Sequence, residues 1–296
     1  MTDRVSLALA QYPLEQFTRW DDLADSLTGW VGAGARQAKL LVFPEYGGMT
    51  LVGLCPPETW GNELAQLPAL QGWLPAWLDL HAGLARAHGV YILSGSLPVE
   101  EGGRYFNRAF LFSPDGGRGH QDKLTLTPSE GRSSGLTPGA GVQVFETALG
   151  RLAVAICYDA EFSHQARAQA EAGAELLLVP SCTSNTRGHT RVRVGSMARA
   201  LENQCGVAVS PLIGRAPWLA GLEVVTGAAG LYTPSDEGLP EDGVLAQGEP
   251  DEPGWVFAEL ELERLRFVRR EGHVLNFRDE PATRRHASAS INRISL

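Results

Sequence analysis

Leu152-Ala-Val-Ala-Ile156 is an unbroken apolar run of strand length, and it ends abruptly in Cys157 followed by the polar pair Tyr158-Asp159. A run without polar alternation has no face to give to water, so it predicts a strand covered on both sides, as in a layered α/β fold. The next segment, Phe162 to Ala172, carries Ala and Gln at helical spacing and stops at Gly173. The thiol is therefore expected at a strand-to-helix junction. A helix start there offers unpaired N–H groups and a positive partial charge, which favour a thiolate and a developing oxyanion. A cysteine ending a strand is by itself better explained by packing. Its partners decide the matter.

Those partners emerge along the chain. Val5 to Tyr12 predicts a strand and Leu14 to Gln37 a helix with Leu23, Leu27, Trp30 and Val31 on one side. Ala38 to Phe43 predicts a strand that Pro44 stops, delivering Glu45 and Tyr46 at its mouth before two glycines. Asn62 to His88 is a helical region, Trp73 and Trp77 reading as core, and Gly89 leads into a strand from Val90 to Leu97. Tyr105 to Phe112 and Arg118 to Leu124 then form a hairpin around Ser113-Pro-Asp-Gly-Gly, with Lys123 at its far end. The polar, Gly- and Pro-rich stretch from Leu126 to Gly141 carries Glu130 and is longer than an ordinary connection, a mark of functional or mobile loops. After the Cys segment come a strand from Glu175 to Val179 with Pro180-Ser181-Cys182-Thr at its mouth, and a helix from about Thr190 to Gln204. The last third reads mainly as strand and turn, closed by a charged helix from Glu261 to Glu271. Strand runs interrupted by helices on both sides of a hairpin predict an α/β fold of two packed sheets with outer helices. One domain is expected over residues 1–280, followed by a tail over 281–296.

Net charge is -9 and the isoelectric point about 5.3, which speaks against a nucleic-acid partner needing a basic face. No apolar stretch approaches the roughly 18 to 20 residues that span a bilayer, and the N-terminal residues lack a signal pattern, so no membrane partner and a cytoplasmic location are expected. The four cysteines, Cys55, Cys157, Cys182 and Cys205, have neither C-x-x-C spacing nor a His cluster. Neither a metal site nor a disulfide framework is indicated.

Glu45, Lys123 and Cys157 thus each end a strand. Covalent thiol chemistry needs a base for the thiol proton, a cation or N–H group for the oxyanion, and the nucleophile itself. The motifs Leu-Val-Phe-Pro-Glu45-Tyr46, Asp-Lys123-Leu-Thr-Leu-Thr-Pro and Ala-Ile-Cys157-Tyr158-Asp159, in this order, resemble the nitrilase or carbon-nitrogen hydrolase superfamily. Gly-Ala-Glu-Leu-Leu-Leu-Val-Pro180-Ser181 and Ala-Arg199-Ala-Leu-Glu202-Asn203-Gln are similar to that family's later signatures, and the resemblance runs from about Val5 to Phe277. It implies a four-layer αββα sandwich in which Glu45 is the general base, Lys123 the cation at the oxyanion and Cys157 the nucleophile. The Tyr158 N–H would be a second oxyanion donor and Glu130 the family's second glutamate. Tyr46, Ser181 and Cys182 are expected around the substrate. The resemblance also implies no cofactor, and a homodimer or higher homo-oligomer through the outer helices. Lys123 beside Cys157 is expected to favour the thiolate.

Tyr158-Asp159 after the nucleophile is similar to the amidase branches rather than to the Trp-Glu of nitrile-attacking members. The expected function is therefore a thiol amidohydrolase acting on a small molecule, with N-carbamoyl acid hydrolysis and then nitrile hydrolysis as alternatives. A non-catalytic binding protein on the same fold is the rival from another class. One departure stands out: Arg191, with Arg187 and Arg193 nearby, occupies the region where related amidases commonly carry His. Arg191 is expected to reach the pocket and grip a substrate carboxylate, whereas Arg199 and Glu202 are expected to anchor their helix.

Overall fold

A computed structural model describes residues 3–287 and 293–295. Strand β1 (Arg4–Pro13) organises the layers. Successive side chains of a strand point to opposite faces. Val5, Leu7 and Leu9 accordingly enter one apolar core, while Ala8, Ala10 and Tyr12 enter another. The second core is closed by α1 (Trp20–Ala35), which contributes Leu23, Leu27 and Val31. This helix starts later than the apolar spacing suggests. Its first turn holds Asp21 and Asp22, which suit the positive end of the helix dipole, and the chain before them is extended, with Leu14 already buried.

Next come β2 (Leu40–Val42), a 3-10 turn over Gly47–Leu54, and two helices, α2 (Glu63–Gln71) and α3 (Leu74–His88), within the expected helical region. The break has a local cause. Pro75 lacks the N–H that a continuous helix needs but fits the first turn of a new one. Then follow β3 (Tyr91–Glu101), β4 (Arg104–Phe112), β5 (Arg118–Asp122), the single turn α4 (Glu130–Ser133), β6 (Val144–Thr147) and β7 (Gly150–Val154). The later elements are α5 (Ser163–Glu171), β8 (Leu176–Cys182), α6 (Thr186–Asn203), β9 (Gly206–Arg215), β10 (Val224–Val225), β11 (Gly230–Tyr232), β12 (Val244–Gln247), β13 (Gly254–Glu261), α7 (Leu262–Glu271) and α8 (Asn276–Ala287).

The strands make two mixed sheets. One runs β5-β4-β3-β2-β1-β13, with β1 parallel to β2 and antiparallel to β13. The other runs β6-β7-β8-β9-β11-β12, with β7, β8 and β9 parallel. They join where the end of β1 pairs with β9, Tyr12 opposite Leu212 and Pro13 opposite Ile213. Leu7, Leu9, Val42, Leu93 and Leu111 of the first sheet share a core with Leu152, Val154, Leu178 and Val209 of the second, so the sheets pack face to face. Helices α1 and α3 cover the outside of the first sheet, and α5 and α6 that of the second. This is the expected αββα sandwich.

Helix α8 runs through position 280, across the expected start of a separate tail. It is held to α5 and α7 by Phe277, whose ring lies under the guanidinium groups of Arg167 (4.4 Å) and Arg269 (4.6 Å) and whose carbonyl accepts from Arg167 Nη2 at 2.9 Å. Arg284 bonds to Glu280 and Glu171, and residues 288–292 and 296 lie outside the described residues. Among the described residues no helix is long and apolar enough to cross a membrane.

Candidate active site

Glu45 lies just past β2, after Phe43 and Pro44, the proline ending the strand ladder. Tyr46 then takes a left-handed conformation, φ 58°, and its N–H donates to Ser96 Oγ at 3.0 Å. The close approach depends on Gly95, φ 77°, where a Cβ would overlap the Pro44 carbonyl oxygen. Lys123 comes just after β5, its N–H donating to the Asn107 carbonyl at 2.8 Å. Glu130, at the start of α4 in the long polar loop, is tied down by the Thr127 N–H, which donates to its Oε2 at 2.8 Å.

These segments converge on one buried cluster. Lys123 Nζ donates to Glu45 Oε1 at 2.8 Å and to Glu130 Oε1 and Oε2 at 2.8 and 2.7 Å. Tyr46 Oη donates to Glu130 Oε1 at 2.5 Å. Side-chain exposure is only 2% for Lys123, 1% for Glu45 and 11% for Glu130, so these charges have each other rather than water as partners.

Cys157 stands at the second strained position of the site, φ 49°. The junction differs from the sequence expectation. Helix α5 begins only at Ser163, and Cys157 opens a 3-10 turn, Cys157–Glu161. The first bond across this turn runs from the Asp159 N–H to the Ile156 carbonyl, so the Tyr158 N–H precedes the ladder. Cys157 Sγ donates to the Cys182 carbonyl at 3.4 Å, and Ser181 Oγ lies 3.7 Å from Sγ. Two side chains clamp the turn. Asp159 accepts the Leu124 and Thr125 N–H groups at 3.0 and 2.7 Å, joining the thiol segment to the residues after Lys123. Arg199, paired with Glu202, donates from Nη1 to the Ala160 carbonyl at 3.1 Å, so α6 is anchored to the turn as well as braced along itself.

Burial sets the proton inventory. It pushes the Glu45 carboxyl up to about 7, opposed by the charge of Lys123 and reinforced by that of Glu130. It works the same way on Glu130, where the Lys123 charge and the bonds from Lys123 and Tyr46 prevail and hold the carboxyl below its ordinary value. For Lys123, burial favours the neutral amine, but the two carboxylates prevail and raise it above the usual lysine range. Burial, aided by the nearby Glu45 charge, pushes the Cys157 thiol well up against the pull of Lys123. The expected resting thiolate is therefore corrected to a resting thiol, because burial disfavours the charged sulfur and the Glu45 charge adds to that against the pull of Lys123.

A cavity of about 580 Å³ is lined by Glu45, Tyr46, Lys123, Glu130, Cys157, Tyr158 and Cys182, with Glu161 and Arg191 also in its wall. Ser181 is buried behind the thiol. Arg191 lines the cavity with a side chain 62% exposed, its Nε 3.6 Å from Glu161 Oε1. Arg187 is exposed, and Arg193 turns away to Gln247 at 3.4 Å. Asn107 went unremarked in the sequence. Its Nδ2 donates to Glu45 Oε1 at 2.9 Å. The available signal was an amide in the apolar run Tyr105 to Phe112, in phase with Ala109 and Leu111. Among the described residues no group of three or more His, Cys, Asp or Glu is arranged to hold a metal ion.

Two packed sheets with outer helices, and a thiol facing a glutamate and a buried lysine between strand ends, define the class. The chain belongs to the carbon-nitrogen hydrolase family, whose model matches residues 6–232. It is 32% identical over 276 residues to the probable hydrolase YhcX of Bacillus subtilis (strain 168), a match covering 93% of this chain and 53% of that protein. It is also 30% identical over 197 residues to the omega-amidase NIT2 of Danio rerio, covering 63% of this chain and 67% of the fish protein. The chain thus spans about half the length of the Bacillus protein and two thirds of the other. Among solved structures, Nit3 of Saccharomyces cerevisiae superposes with a TM-score of 0.71 at 19% identity over 90% of this chain and 94% of that one. An amidase from Nesterenkonia sp. AN1 gives 0.67 at 23% identity over 96% of each chain. At such identities these likenesses show the fold.

Proposed function

We propose that this protein is a thiol amidohydrolase that cleaves the C–N bond of a small-molecule amide through a Cys157 thioester. The observation that carries the reading is the contact of one cavity with a strained, buried thiol, a carboxyl poised near neutrality and a lysine locked in its charged form. The amidase names among the relatives agree with it.

As Cys157 Sγ attacks the amide carbonyl carbon, its proton passes to Glu45, which at about 7 is the group able to take it and give it back. The carbonyl oxygen becomes an alkoxide, facing the Lys123 charge and the Tyr158 N–H. Glu45 returns the proton to the nitrogen, the C–N bond breaks, and ammonia or an amine leaves. Water then attacks the thioester while Glu45 takes its proton. The acid departs, and the thiolate recovers the proton from Glu45. Glu130 and Tyr46 hold Lys123 in place through the cycle. Ammonia release across a panel of amides, ureido acids and nitriles tests the assignment. Amides should turn over fastest, Cys157→Ala should be inactive yet folded, and rapid quenching should trap a substrate-derived acyl mass on Cys157. Ammonia release by Cys157→Ala within tenfold of the parent would refute the nucleophile.

A further inference from the structure

Asn107 is a fully buried amide on a strand face that otherwise supplies Ala109 and Leu111 to the core between the sheets. Its Nδ2 donates to Glu45 Oε1 at 2.9 Å, the same oxygen that accepts Lys123 Nζ at 2.8 Å. Its own Oδ1 is buried and has no hydrogen-bond partner among the described residues. An amide left half unpaired in a core lowers stability, and an apolar side chain would suit this face better, so packing does not account for it. Its orientation is settled by chemistry. Turned over, Oδ1 would face a carboxylate oxygen, acceptor against acceptor.

We propose that Asn107 is a positioning residue that divides the work between the two oxygens of Glu45, pinning Oε1 together with Lys123 and leaving Oε2 to carry the proton to and from Cys157. The assignment rests on the reading of Glu45 as the base. With two donors on Oε1, the carboxyl group cannot rotate without giving up both, and Oε2 is the oxygen that neither of them holds. A donor to the charged form lowers a carboxyl pKa, so Asn107 also offsets part of the upward push of burial. The ionisable groups facing Glu45 are Lys123 after β5, Glu130 on α4, Cys157 on its turn, Cys182 on β8 and the adjacent Tyr46. Asn107 does not titrate, so replacing it alters Glu45 without adding a titration of its own.

The test is the rate of Cys157 alkylation by iodoacetamide against pH, read from the mass of the Cys157 peptide. It compares the full-length protein with Asn107→Leu and Asn107→Ala, each checked for folding by circular dichroism. Glu45→Gln marks the limb of the profile that belongs to Glu45. In the Asn107 variants that limb should move up from about 7 by about one pH unit, with a roughly fivefold slower reaction at neutral pH. A limb within about 0.2 unit of the parent's in a folded variant overturns the proposal, the margin being small against the shift that one charged hydrogen bond brings. A parent limb that survives in Glu45→Gln instead refutes Glu45 as the base, whatever Asn107 does.

Discussion

Lys123→Met removes the one cation that two buried carboxylates share, and the structure makes its cost depend on pH. In the parent, Glu45 and Glu130 each lie 2.8 Å or less from Nζ, with 1% and 11% of their side chains exposed. Met fills much the same volume, so the loss is electrostatic. Breaking a buried pair from one side costs about 3 to 5 kcal/mol when the remaining charge is retained. The carboxyls can escape that cost by binding protons, which raises both above their values in the unfolded chain. A group whose folded pKa is raised destabilises the fold as pH climbs from the unfolded value, about 4.3 for Glu, through the folded one. In the variant Glu130 thus changes from a group held below its ordinary value to one pushed above it. Near pH 5 the variant should melt within a few degrees of the parent, and near pH 8 roughly 6 to 20 °C below it, taking about 2 to 4 °C per kcal/mol. Adding Glu130→Gln should recover much of the loss at pH 8, since one buried anion is gone. Turnover should be about 100- to 1,000-fold down where Glu45 is ionised, as for loss of an oxyanion stabiliser, and lower still at pH values below its raised pKa. Calorimetry at the two pH values decides: an equal drop at pH 5 and pH 8 would refute the account of Lys123 as the counter-ion of two carboxylates.

Two further expectations concern the substrate and the assembly. Arg191 lines the cavity but is largely exposed and already faces Glu161. Its grip on a substrate carboxylate should therefore be worth about 1 kcal/mol, roughly fivefold in the kcat/KM ratio of a carboxylated amide to its neutral isostere, rather than the 1.5 to 3 of a buried charged bond. An unchanged ratio in Arg191→Ala would return the residue to the surface. Val194 and Leu201 project from α6 at 56% and 46% exposure, and we propose that they are covered in a pairing of outer helices between copies. Sedimentation at micromolar concentration should give at least twice 31.8 kDa, and a mass near one chain would remove the expectation.

Local chemistry made the framework readable. The apolar run before Cys157, the proline that stops β2 ahead of Glu45 and the hairpin that ends at Lys123 each depend on periodicity or turn residues within about ten positions, and each appears where the sequence puts it. Other details depend on single residues rather than on periodicity. Pro75 splits the region from Asn62 to His88, and Phe277, clasped by Arg167 and Arg269, draws α8 onto the body although the segment has no apolar face of its own. The state of the site was settled by tertiary structure alone. Glu130 sits in a polar loop and becomes a buried partner only because Lys123 and Tyr46 meet it there. Asn107 turns from a misplaced amide into a contact of the base because β4 brings it to Glu45, 62 positions away. The sequence shows a thiol near a lysine and so suggests a thiolate. The fold buries that thiol, turns the lysine's charge to Glu45 and Glu130, and leaves the proton on sulfur, because desolvation and the arrangement of charge in space are properties of the assembled core rather than of any stretch of chain.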